Sequence, residues 1–158
     1  MSVPDWLPPM TIVNPWKENT YDVLYIVFLS DFVKTKPKYQ GFEVWCFPEL
    51  EDGKIQVFWH LTSRKDKETN DRLPDLRRAE RLPWARPIME HPQDSEVLAW
   101  DYEEGNKDIH SYVWLKNHDY VVVLKKYKDG RRRLITAYWI EFDHNRKDLL
   151  RKYNQKVA

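Results

Sequence analysis

The sequence contains one cysteine, Cys46, and four glycines. A single thiol rules out an intramolecular disulfide and a zinc site of the multi-cysteine kind, and it fits a reducing compartment. Glycines this few and scattered leave no phosphate-cradling loop: neither G-x-x-x-x-G-K-[ST] nor G-x-G-x-x-G occurs. H-E-x-x-H and G-x-S-x-G are missing as well, and the acidic residues are too dispersed to name a metal-ligand set. No metal and no cofactor is therefore expected. No basic start runs into an apolar stretch like a signal peptide, and no apolar run reaches membrane-spanning length. The expectation is a soluble, cytoplasmic protein with no membrane partner. Neither sign of charge dominates. Lys and Arg number 26 against 25 Asp and Glu, a net charge of +1, so any basic site must be local.

What the chain does have is length, aromatics and clear periodicity. Its 158 residues suit a single domain over 1–158 with a core of its own. The 8 Trp, 9 Tyr and 6 Phe serve core and strand packing, with a minority available as a stacking platform for bases. Residues 1–15 are proline-punctuated and read as an extended arm. Tyr21, Leu24, Tyr25, Phe28, Leu29 and Phe32 recur at helical spacing, with Asn19 or Thr20 as cap and Pro37 closing the segment. The period then moves toward two. Strands are expected over 42–47 and 54–63, joined at Asp52-Gly53, followed by a charged loop over 65–73. Pro74 and Asp75 open a short helix that Pro83 ends near Arg81. Four strands follow, EVLAWDYE, IHSYVWLK, DYVVVLKKYK and RRRLITAYWIEF, before a charged helix opening at Asp143. This order argues for an α+β domain, with helices on a largely antiparallel sheet of four or more strands.

Three clusters carry potential chemistry. In FWHLTSR, a strand places Phe58, His60, Thr62 and Arg64 on one face, joining a base that titrates near neutrality, a hydroxyl and a permanent cation. The bland alternative is a histidine buttressing the sheet. In RRAERLPWARP, Arg77, Arg78 and Arg81 share a helical face, and Arg86 follows Trp84. They make either an anion cradle with a stacking surface or a solvated face paired to Glu80 and Asp75. In LITAYWIEF, Leu134, Thr136, Tyr138, Ile140 and Phe142 share one strand face. His144 follows as a second acid or base, or as a helix residue without a chemical role. His60, Thr62, Arg81 and Thr136 are expected to converge on one concave patch.

Taken together, HLTSR, PDLRRAERLPWARPIMEH and LITAYWIEFDHNRKDLLRKY resemble the phage- and plasmid-associated branch of the barnase–EndoU–colicin–RelE-like nucleases, from about Trp16 to Tyr153. The resemblance implies an α+β domain that cleaves RNA without metal, often as a toxin held by a protein inhibitor. Its catalytic residues here would be His60, Arg81, Thr62 and Thr136. Arg64, Arg78, Trp84, Arg86, Tyr138 and His144 would hold RNA. The alternative is a non-catalytic module of the same fold that binds RNA or protein. The oligomeric state is left open.

Overall fold

The computed structural model describes residues 2–157. A six-stranded sheet in the order β1-β2-β10-β9-β8-β7 organises the chain. Its long strands are β7 (Val97–Glu103), β8 (Ile109–Leu115), β9 (Tyr120–Lys126) and β10 (Arg132–Trp139), which pair antiparallel with one another. The short strands β1 (Lys38–Tyr39) and β2 (Phe42–Trp45) extend it, and β2 runs parallel to β10. The expected α+β class and single domain hold, with one parallel pair in an otherwise antiparallel sheet.

Both faces of the sheet are covered, so β9 reads as a continuous apolar run, YVVVL. Tyr120, Val122 and Leu124 face the larger core with Leu24, Phe28, Phe58 and Leu61. Val121 and Val123 face the smaller core with Trp100, Trp114 and Ile140. Over the first face lie α1 (Thr20–Leu29), α2 (Gln56–Thr62), α3 (Leu76–Glu80) and α4 (Ala85–Glu90); α5 (Asp143–Asn154) covers the second through Leu149. Asp75 caps α3 by accepting the Arg78 N–H at 3.2 Å, and Arg81 ends the helix as Pro83 requires. At the Asp129-Gly130 turn, glycine takes φ +94°, and a Cβ there would meet the Phe42 ring at 2.6 Å.

Residues 2–15 of the expected arm form no helix or strand and lie against α3 and α4; Met1 is outside the described residues. Thr11 N–H donates to the Glu80 carbonyl at 2.8 Å, and Trp6 stacks on His91 with ring centroids 4.3 Å apart.

Three sequence expectations fail. Residues 56–62 are a helix, so the strand expected over 54–63 shrinks to β4 (Lys54–Ile55), paired with β3 (Leu50–Glu51) across Asp52-Gly53. The charged loop over 65–73 is shorter than expected, because β5 (Ser63–Lys65) and β6 (Arg72–Pro74) pair across it. In β10, the register slips at Ile135. That bulge turns Leu134 into the larger core, while Tyr138 and Ile140 stay in the smaller one, so Leu134 does not share their face. No helix among the described residues is long and apolar enough to cross a membrane.

Candidate functional site

A helix as short as α2 is marginal by itself. Phe58 and Leu61 are wholly buried, and each contributes roughly 1.5–3 kcal/mol, enough to hold it in place. The helix also separates two residues that a strand would have aligned. At about 100° per residue, His60 and Thr62 point to opposite sides. Thr62 is fully buried, and its hydroxyl donates to the Phe58 carbonyl at 2.9 Å. It cannot meet a substrate. His60 stands on the exposed side.

The imidazole is held by an arginine that sequence reasoning passed over. Arg72 Nη2 lies 3.1 Å from His60 Nδ1. A guanidinium has no lone pair, so Nδ1 accepts and the neutral ring carries its proton on Nε2. Arg72 Nη1 also donates to the carbonyl and hydroxyl of Ser63, at 3.3 and 3.1 Å. Arg78 reaches the same corner from α3: its Nη1 donates to the carbonyls of His60 and Ser63, at 3.0 and 3.1 Å. Asp75 pairs with Arg78 at 3.3 Å, whereas Arg72 joins no ion pair among the described residues. Burial, then the charges of Arg72 and Arg78, push the His60 pKa below its ordinary 6.5; Glu51 pulls the other way. β2 pairs with β10 only at Arg132 and Arg133, and α2 and α3 pack along the rest of that edge. There the Thr136 hydroxyl donates to the His60 carbonyl at 3.3 Å.

Two clefts meet at this point, and Gln56 and His60 line both. The larger, about 920 Å³, opens between the β3–β4 and β5–β6 hairpins. Tyr21, Trp59, Lys65 and Arg72 share its walls with the carboxylates Glu51, Asp52 and Asp71. The smaller, about 430 Å³, lies between α2 and β10 and is lined by Phe47, Val57, Arg133, Leu134, Ile135 and Thr136 besides the shared pair.

Of the four residues expected to converge, His60 and Thr136 do. Arg81 does not: it pairs with Glu80 at 2.6 Å, and its guanidinium sits 5.3 Å and 5.5 Å from the ring centroids of Trp84 and Trp139. Trp84 is buried and donates its Nε1–H to the Pro8 carbonyl at 2.9 Å, so it offers no face to a base. Arg86 is a structural clamp, donating to the carbonyls of Asp31 and Thr35 at 2.9 and 3.0 Å. Arg64 is exposed on β5 and lines neither cleft. Tyr138 lies 5.6 Å below the Arg78 guanidinium, and burial pushes its phenol up. His144 is exposed on α5, on the opposite sheet face, stacked on Phe142 at 5.5 Å.

The arrangement places one imidazole where two clefts meet, with the Arg72 guanidinium and the Glu51 carboxylate in the walls of the larger cleft and the Arg78 guanidinium on the His60 carbonyl. Such a set can bind a phosphate and move a proton beside it. No protein-family model, curated protein or solved structure matches the chain.

Proposed function

We propose that this protein is a metal-independent endoribonuclease whose reacting phosphate sits at His60. One observation carries the reading: His60 lines both clefts with the Arg72 guanidinium against its Nδ1 in the wall of the larger one, while Arg78 reaches the His60 carbonyl from α3. Cleavage of this kind uses the RNA 2′-hydroxyl as nucleophile and gives a 2′,3′-cyclic phosphate and a 5′-hydroxyl. It needs a group to take the 2′ proton, a group to protonate the leaving 5′ oxygen, and cations for the charge growing on phosphorus. Arg72 and Arg78 supply the cations. Both are long and forked, and Arg72 has no carboxylate to compete with a phosphate. An anion between them offsets the charges that hold the imidazole neutral. As Arg72 turns to the phosphate, His60 Nδ1 is freed and the ring takes up a proton, becoming the acid for the 5′ oxygen. Glu51, across the same cleft, is the base for the 2′ proton.

A second reading has its own support. His60 Nδ1 is capped by a cation, and Thr62, Arg81 and His144 stand away from it. That arrangement suits a module that binds RNA at the same corner without cutting it. An inhibitor protein remains part of the first reading only, as the partner a toxin would need.

Incubation of the purified protein with total RNA in chelator separates the two. The nuclease reading expects 2′,3′-cyclic ends, lost in His60→Ala and Arg72→Ala and reduced by at least a hundredfold in Glu51→Gln, in line with the usual weight of acid–base catalysis. Intact RNA that is nevertheless retained by the protein would leave the binding module.

A further inference from the structure

We infer that the smaller cleft is a nucleobase subsite, in which the base next to the reacting phosphate stacks on the pile formed by Phe47 and the Arg133 guanidinium. The inference rests on the reading that RNA meets the protein at His60, because His60 and Gln56 make this cleft continuous with that corner.

Phe47 is 44% exposed, so part of its ring is open to a ligand in the cleft. Its edge packs on Trp45, with centroids 5.2 Å apart, and the Arg133 guanidinium lies 4.3 Å from its centroid. Arg133 is fixed in turn: its Nε donates to the Tyr127 hydroxyl at 3.0 Å, and its backbone is in register with Trp45 in the parallel β2–β10 pair. An aromatic ring and a guanidinium plane held together form the surface on which unpaired bases stack. No carboxylate lines the cleft, in contrast to the three in its larger neighbour, and Arg133 joins no ion pair among the described residues. The Gln56 amide can both donate and accept, and the Thr136 hydroxyl, whose proton goes to the His60 carbonyl, can still accept, so the edge of a base finds partners. At about 430 Å³ the space falls within the range of roughly 300–1,000 Å³ usual for small-molecule sites.

The test is fluorescence anisotropy with a short single-stranded RNA carrying 2′-O-methyl groups, which cannot be cleaved, in chelator. Phe47→Ala is expected to weaken binding about tenfold and Phe47→Trp to retain it. Removing one base from the oligonucleotide should cost the wild type the same factor and cost Phe47→Ala nothing further. Equal affinity of wild type and Phe47→Ala would overturn the subsite, as would base-removal losses that persist in that variant, or a wild type that does not bind. If the expected pattern appears while unmodified RNA stays intact, the subsite stands and the nuclease reading falls.

Discussion

At His60 the decisive contact is the guanidinium on Nδ1. It fixes the tautomer, and with Arg78 it works in the same direction as burial, keeping the ring neutral. Each of these causes lowers the pKa, so removing one must raise it. Arg72→Ala should therefore move the His60 titration upward, followed by proton NMR of the imidazole, and inorganic phosphate should do the same to the wild type. A titration unmoved by either would separate Arg72 from the chemistry. Other single residues show how chemically equal side chains part company. Thr62 and Thr136 are both strand-forming hydroxyl residues, yet one is bonded inside its own helix and the other reaches the His60 carbonyl. Burial pushes the Cys46 thiol up to about 12, leaving little nucleophile near neutrality.

Among the elements, α2 decides the site. Val57, Phe58, Leu61 and Thr62 are buried at positions that only a helix brings to one side, although the same letters alternate passably as a strand. The helix wins because the two flanking hairpins and the open edge of β10 surround it, and they leave its His60 side free. The arginine-rich segment has a different use. The turn between α3 and α4 ties down the N-terminal arm through Trp84, and Arg86 on α4 ties down the π-helical turn Ser30–Lys34 that follows α1. Arg86→Met should thus lower unfolding stability by about 1–3 kcal/mol, measured by denaturant titration, because carbonyls of Asp31 and Thr35 lose their donor. RNA affinity should be unchanged, and a loss of affinity without a loss of stability would return Arg86 to the site.

Over the whole molecule, a net charge of +1 leaves no broad field to gather RNA. Binding must then come from a few local cations and from stacking. With about two or three phosphates neutralised, the logarithm of the binding constant should fall with that of salt at a slope of roughly −1.4 to −2.1 for a single strand. Anisotropy across a potassium chloride series measures it. A much steeper slope would mean a larger basic surface than the corner around His60, Arg72 and Arg133. Helices and hairpins crowd one side of the sheet and α5 covers the other, and the two clefts that share His60 open beside α2.

The sequence by itself determined the α+β class, the four long strands with their turns, the first and last helices and the capped turn at Asp75, because periodicity and turn chemistry act between neighbours along the chain. It also marked His60. Only the tertiary structure decided which groups surround that imidazole. Arg72, Arg78 and Thr136 reach it or its carbonyl across 12, 18 and 76 residues of sequence. One arginine resembles another until folding pairs some with carboxylates, buries others against tryptophan and leaves a few facing a cleft.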